Sequence, residues 1–270
     1  MTLRADAELT VRGVHAQWKA ALWWTVGIVA LALVTVAFWP SIEESNALDE
    51  LEKSISPDVL AAFGAQNLST PAGYLDGQLY ALLLPLLLSG LAIAAASALT
   101  SGDEDAGRLE LIHALPVARQ AVWVWRFISV LIVLVVVTGV AIAAVVGTRG
   151  VFSLEEVSAT RLVEATLACA LLGAFHGAVA YAVGGLGGTR GVALSVSILV
   201  LLAGYVINFL FPLSESLADL RRLSPWWWAI GEQPVSDGID GTRLGVLGGV
   251  TLVILVIGTF GVVHRDIRPA

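Results

Sequence analysis

Six stretches of this chain contain no Asp, Glu, Lys or Arg, and no other feature limits its fold as strongly. They cover residues 21–39, 79–100, 127–148, 165–188, 191–213 and 244–263. Each is close to the roughly 20 residues that an α-helix needs to cross about 30 Å of hydrocarbon. Only 14% of the residues are charged, against about 25% in soluble domains. The sequence therefore excludes a water-soluble globular fold and predicts one all-α membrane domain, residues 1–270, with six transmembrane helices.

The basic residues predict how the chain is threaded. Six spans place both termini on one side, together with the loops 101–126 and 189–190. Nine of the 15 Lys and Arg residues lie on that side, although it holds fewer residues than the other: Arg4, Arg12, Lys19, Arg108, Arg119, Arg126, Arg190, Arg265 and Arg268. The positive-inside rule then places the termini in the cytoplasm.

Abundant Ala, Val, Gly and Arg favour a bacterial source, so the predicted location is the bacterial plasma membrane. The net charge of -7 argues against a nucleic-acid partner.

Two segments on the cytoplasmic side predict short helices. Residues 9–20 mix apolar and basic positions, a pattern typical of an interfacial helix ahead of the first span. In the loop 101–126, Ser101 and Glu104 have the S-x-x-E spacing of a capping box. The predicted helix has Asp103, Glu104 and Asp105 in its first turn, an apolar stripe of Leu111, Ile112 and Leu115, and Pro116 at its end. A helix that lies on anionic lipid should carry Lys and Arg instead, so the acids favour docking to a basic partner protein. A passive interfacial turn remains the alternative.

The same loop resembles the permease subunits of ABC-2-type ABC exporters. After their second span these proteins read acid-x-x-G-[TR]-x-E-x-L, followed by P-[VL]-[SG]-R. Residues 104–119 here read EDAGRLELIHALPVAR, with Ala118 where the family has Ser or Gly. The resemblance implies a type V exporter-like fold and a cytoplasmic coupling helix between spans two and three. The implied coupling residues are Asp103, Glu104, Asp105, Gly107, Arg108, Glu110, Leu111, Ile112, Leu115 and Pro116.

Two shorter segments are similar to the same family. Residues 223–235 read LSPWWWAIGEQPV, like the family's L-S-P-aromatic segment, and Gly238 follows. That resemblance implies short re-entrant helices on the outer side, built around Pro225, Trp226, Trp227 and Trp228. Residues 69–75 read STPAGYL, similar to the T-P-x-G-Y-L of exporters of polyketide antibiotics.

The resemblance also implies partners and a division of labour. Two permease subunits, identical or not, would pair with two ABC ATPase subunits and export an amphipathic substrate such as a drug, polyketide antibiotic or lipid-like molecule. The chain lacks the G-x-x-x-x-G-K-[ST] loop of ATP-binding proteins, so it is predicted to be no enzyme and to hold no cofactor. ATP and Mg would bind to the partner subunit.

A few polar residues inside the spans are candidates for the substrate path, namely His176, Tyr205 and Asn208. Hydrogen bonding between helices is the alternative role for each of them. The single cysteine, Cys169, allows neither an intrachain disulfide nor a cysteine metal cluster. The pairs Gly173/Gly177, Gly184/Gly188 and Gly245/Gly249 predict close helix packing.

Two other function classes remain open from the residues alone. A stand-alone secondary transporter needs ionisable relay residues within its spans, and His176 is the only one there. An intramembrane protease of the CAAX-processing type has an E-E-x-x-x-R motif. The chain has a similar set in Glu155, Glu156 and Arg161, but the spacing between Glu156 and Arg161 is one residue too long.

Overall fold

The computed structural model describes residues 2–45, 54–56, 59–60, 67–109 and 117–265, with side chains from Glu8 onward. Six helices in this part of the chain are long and apolar enough to cross a membrane, which confirms the six predicted spans. No strand occurs among the described residues. The helices are α1 (Thr2–Ser45), α2 (Pro71–Asp105), α3 (Arg119–Thr148), α4 (Ala159–Gly185), α5 (Arg190–Phe209) and α7 (Gly241–His264), and the short α6 (Pro225–Ala229) lies between α5 and α7.

Helix α1 extends well beyond the predicted first span. Residues 9–20, expected as a separate interfacial helix, continue into the span without a break. At about 1.5 Å per residue, the 44 residues of α1 are about 66 Å long, roughly twice the hydrocarbon thickness. Gly13 lies against Ser129 of α3, whose hydroxyl donates to the carbonyl oxygen of Thr10 at 3.1 Å. This contact with α3 holds the N-terminal part of α1 in line with the span.

Helix α2 is irregular at two places. Its α-helical stretches Pro71–Leu75, Leu83–Ser97 and Asp103–Asp105 are separated by the π-helical turns Asp76–Tyr80 and Ala98–Gly102. Leu82, with φ -141° and ψ -55°, interrupts the helical backbone just after the first π turn. α2 nevertheless continues past both ends of the uncharged stretch 79–100, so its charged residues remain part of the helix.

Helix α4 is the centre of the bundle and contacts α2, α3, α5 and α7. Small residues allow its close approach to α2, because a Cβ at Gly173 would lie 2.9 Å from the Leu88 carbonyl oxygen and one at Gly177 would lie 3.1 Å from the Ala92 Cβ. Close packing is thus confirmed for Gly173 and Gly177. α1 packs mainly on α3, at the edge of the bundle.

The second close approach joins α4 to α7. A Cβ on Gly185 would overlap the carbonyl group of Gly258, and the residue opposite Gly258 is Ala182 of α4. Gly245 and Gly249, by contrast, have no atom of the described chain within 4 Å of a Cβ placed on them. The predicted Gly245/Gly249 pair therefore does not mediate packing within this part of the chain.

We predict that Gly185→Ala lowers the stability of the membrane domain by about 1–3 kcal/mol, as overpacking of a closed contact does. The added methyl group would push against backbone atoms of Gly258, which cannot move without shifting α7. Gly245→Ala is the matched control and should leave the unfolding temperature unchanged or slightly raised, because Ala favours a helix over Gly. Thermal unfolding in detergent, followed by Trp fluorescence, measures both. Equal unfolding temperatures for the two variants would contradict the contact.

Candidate functional site

The acidic turn, residues 103–105, is the last turn of α2 rather than the first turn of a new helix. Ser101 does not cap it, because the helix continues through the π-helical turn Ala98–Gly102. The physical reason is packing, since Thr100 and Ser101 lie against Gly184 of α4 and are held in helical geometry there. Gly107, with a φ of +68°, is the second residue after this turn and turns the chain away. The expected capping box is therefore wrong.

Negative charge at the C-terminal end of a helix opposes the helix dipole, so the acids of this turn need cationic or N–H partners. Glu104 finds one in Arg265, just beyond α7. The two Arg265 Nη atoms lie 2.7 and 2.6 Å from the two carboxylate oxygens, and Glu104 is only 2% exposed. Arg265 also donates to the carbonyl oxygens of Gly184 and Gly185 at 3.0 and 2.9 Å. One guanidinium thereby joins the ends of α2, α4 and α7.

Asp103 connects the same turn to α3. Its carboxylate lies 2.7 Å from an Nη atom of Arg126, a residue that is 7% exposed. Arg126 also donates to the carbonyl oxygen of Leu99. Arg108 binds the other carboxylate oxygen of Asp103 at 2.6 Å from the exposed side. Asp103 is thus placed between a buried and an exposed arginine.

Asp105 connects the turn to α5. Its carboxylate accepts a hydrogen bond from the backbone N–H of Arg190 at 2.8 Å, at the first residue of α5. A carboxylate is favourable at the N-terminus of a helix, where N–H groups lack partners. The three acids of one turn therefore contact α3, α4, α5 and α7 directly or through one arginine.

The remaining coupling candidates divide into two groups. Arg108 is exposed and Gly107 is half-buried. The others lie outside the described residues: Glu110, Leu111, Ile112, Leu115 and Pro116.

The opposite end of the bundle is covered by residues 214–240, the outer segment. The Ser224 side chain begins α6 by accepting from the N–H of Trp226 at 3.2 Å, and its hydroxyl donates to the Gly204 carbonyl oxygen at 2.6 Å. Trp226 is fully buried, and its indole N–H donates to the Leu201 carbonyl oxygen at 3.1 Å. α6 therefore packs closely against α5.

Trp227 lies between two arginines of the outer segment and α7. Arg221 and Arg243 stand 4.1 and 4.5 Å from its ring centre. Arg221 is paired with Glu232; burial lowers the pKa of its guanidinium, and the Glu232 carboxylate opposes that shift. Asp240 caps α7 by accepting from Thr242, and this backbone hydrogen bond lowers the pKa of its carboxyl group. The outer segment is thus held by cation-aromatic contacts as well as by hydrogen bonds.

Asp76, in the π turn at the other end of α2, is a site residue that sequence reasoning missed. Its carboxylate accepts from the N–H groups of Val235 and Ser236 at 2.7 and 2.9 Å and from the Ser236 hydroxyl at 2.7 Å. The residue is fully buried, although it lies outside the uncharged stretch 79–100. Its position directly after the T-P-x-G-Y-L segment was the only signal. Asp76 fixes the outer segment to α2.

The candidates for the substrate path do not form one site. His176 is buried between α4 and α2, with its Nδ1 2.9 Å from the Leu172 carbonyl oxygen and 3.2 Å from the Ser89 hydroxyl. Tyr205 and Asn208 lie beside the outer segment instead: Tyr205 contacts the Trp226 ring, and Asn208 accepts from Arg221 at 3.3 Å.

The three residues of the protease-like motif lie in the turn between α3 and α4 and in the first turn of α4. Glu155 and Glu156 are exposed in the turn between α3 and α4, and Arg161 lies beside Gly238. Among the described residues, no group of three or more His, Cys, Asp or Glu side chains could hold a metal ion.

We predict that Arg265→Gln destabilises the protein by about 3–5 kcal/mol, because it leaves the buried Glu104 carboxylate without its counter-charge. Arg265→Lys keeps the charge but not the bidentate geometry, so its loss of stability should lie between those of Arg265→Gln and the control. The control is Glu8→Gln, which breaks the exposed Glu8–Arg12 pair and should cost under about 1 kcal/mol. Thermal unfolding in detergent gives the order. If Arg265→Gln unfolded with the control, the pair would have no structural role.

The comparison with known families agrees with the fold of six spanning helices. Residues 19–263 match the family described as ABC-2 family transporter protein. No curated protein matches the chain. The matched region includes residues of all six spanning helices and the loop between α2 and α3, so the protein is a multi-pass membrane protein of a transporter family. The chain belongs to the ABC-2 family of transporter proteins and is an ABC-2-type permease.

Proposed function

We propose that this permease is the membrane subunit of an exporter that is driven by separate ATPase subunits. Membership of the ABC-2 family implies an ABC ATPase partner. We further assign two ATPase copies, which would hold the ATP and Mg, and a second permease, identical or paralogous. The observation that carries the proposal is the acidic turn, because its three carboxylates contact four helices. A partner that moved this turn would move those helices together.

The implied coupling residues have two different tasks in this proposal. Asp103 and Glu104 point inward and act as positioning residues, since their partners Arg126 and Arg265 belong to the bundle. Docking would fall to the exposed Arg108 and to the stretch 110–116. An apolar centre of Leu111, Ile112 and Leu115 with a charged rim would suit a cleft on the ATPase.

The substrate we propose is amphipathic, drug-like, polyketide-like or lipid-like, and would leave between two permeases. The exposed faces of the spanning helices are apolar, with Val135 and Leu199 each more than 65% exposed. Such surfaces suit an apolar passenger better than a sugar or an ion. The outer segment would cover the exit, with Asp76 as the point that holds it closed. Tyr205 and Asn208 lie beside that exit, which makes them better candidates for substrate contact than the enclosed His176.

We predict that Glu110→Lys combined with Ile112→Asp weakens association with the ATPase at least about 30-fold, as loss of a 2 kcal/mol contact at the centre of an interface does. Glu104 is left unchanged because its replacement would break the ion pair with Arg265. Leu220→Asp, at a 41% exposed leucine of the outer segment, is the control. Affinity purification of the full chain from its native membranes measures the ATPase that is retained. If the wild-type chain brings down no ATPase, the subunit proposal fails; if the double variant retains it fully, only the docking assignment fails.

We also predict that both termini and the acidic turn face the cytoplasm of a bacterial cell. In Arg108→Cys the new thiol should react with an impermeant maleimide only after permeabilisation, whereas in Glu155→Cys it should react in intact cells. Both positions are exposed, and the natural Cys169 is buried, so it adds little background. The reverse labelling pattern would invert the topology.

A further inference from the structure

A groove runs along the outside of the bundle between α3 and α7. It has a volume of about 460 Å³. Its walls are almost entirely apolar and include Val124 of α3 and Leu252, Val256, Phe260 and Val263 of α7. Leu252, Val256 and Phe260 are each more than 60% exposed. In a membrane protein, such a groove opens onto the acyl chains of the bilayer.

One end of this groove is polar. Gln120 and His264 line it there. Arg119 precedes Gln120, and its Nη1 donates at 3.1 Å to the carbonyl oxygen of Arg265, the residue after His264. His264 stacks on Phe260 with ring centres 3.9 Å apart, and its Nδ1 bonds the Phe260 carbonyl oxygen. Arg119 and His264 are both exposed. The end of the groove therefore presents N–H donors and a positive charge to an exposed surface.

The length of the groove matches one leaflet of a bilayer. From Leu252 to His264, α7 rises about 18 Å, close to the roughly 15 Å that is half of a hydrocarbon core. The groove thus occupies only the half of α7 that ends at His264. An apolar channel of one leaflet's depth with a cation at its polar end fits one acyl chain and an anionic headgroup.

We propose that the groove between α3 and α7 is a binding site for an anionic glycerophospholipid. The phosphate group binds at Arg119, with Gln120 and His264 beside it, and one acyl chain lies along Val256 and Phe260. A second copy of the chain fits less well, because a two-fold axis along the membrane normal would place two Arg119 guanidinium groups on the same side of the interface. The site needs no ATPase, so it stands apart from the proposed function. The site is nevertheless connected to the ion pair between Glu104 and Arg265, because Arg119 donates a hydrogen bond to the backbone carbonyl of Arg265.

The test is native mass spectrometry of the full chain in mild detergent, with phosphatidylglycerol and phosphatidylcholine of the same acyl composition added in equal amounts. The wild type should retain phosphatidylglycerol preferentially. Arg119→Gln should lower that retention about fivefold, since a single basic residue at an anionic surface contributes about 1 kcal/mol, and Arg119→Lys should restore most of it. Val256→Trp should lower the retention of both lipids by filling the groove.

Two matched variants control for general effects. Arg12→Gln removes an exposed basic residue of α1, and Val136→Trp adds the same bulk to a different groove, between α1 and α3; both should retain lipid as the wild type does. Equal retention of the two lipids by the wild type would overturn the proposal, as would unchanged retention in Arg119→Gln. Extensive disulfide-linked dimers of Val256→Cys in native membranes would also overturn it and assign the groove to a second copy.

Discussion

Three carboxylates at the C-terminal end of a membrane helix are the constraint on which one end of this bundle depends. The helix dipole disfavours them there, and Glu104 is almost completely removed from water. The two buried acids, Asp103 and Glu104, must therefore meet an N–H donor or an arginine. Buried ion pairs add little net stability because desolvation offsets their attraction, but losing one partner is costly. Such pairs select one arrangement of the helices more than they strengthen it.

The two ends of α2 meet this requirement in different ways. At the acidic turn the partners are guanidinium groups, and the planar fork of Arg265 engages both oxygens of one carboxylate. At Asp76 the partners are two backbone N–H groups and one hydroxyl, all neutral. The acidic turn is consequently part of a network of charges that reaches four helices, whereas Asp76 is a single contact between α2 and the outer segment. Both involve α2, which places this helix between the proposed ATPase side and the proposed exit.

The sequence predicted the spans and some of their packing but not the partners of the buried charges. Uncharged stretches revealed the six helices because hydrocarbon excludes charge, and the spacing of Gly173 and Gly177 revealed a close contact. The partner of Glu104 is Arg265, which is 161 residues away, and that of Asp76 is the backbone of Val235, 159 residues away. No local sequence pattern identifies a partner that lies so far away along the chain. The capping-box spacing at Ser101 was misleading because the packing of Thr100 and Ser101 on Gly184 overrides a local preference.

The π-helical turns of α2 have a mechanical consequence. One lies at residues 76–80 and contains Asp76, and the other, at residues 98–102, directly precedes the acidic turn. A π turn holds one residue more than an α turn. When that extra residue migrates along a helix, each residue it passes rotates by about 100° around the axis, while the helix beyond keeps its place. The carboxylates at both ends of α2 therefore stand where the helix can exchange one set of partners for another by a shift in register, without melting.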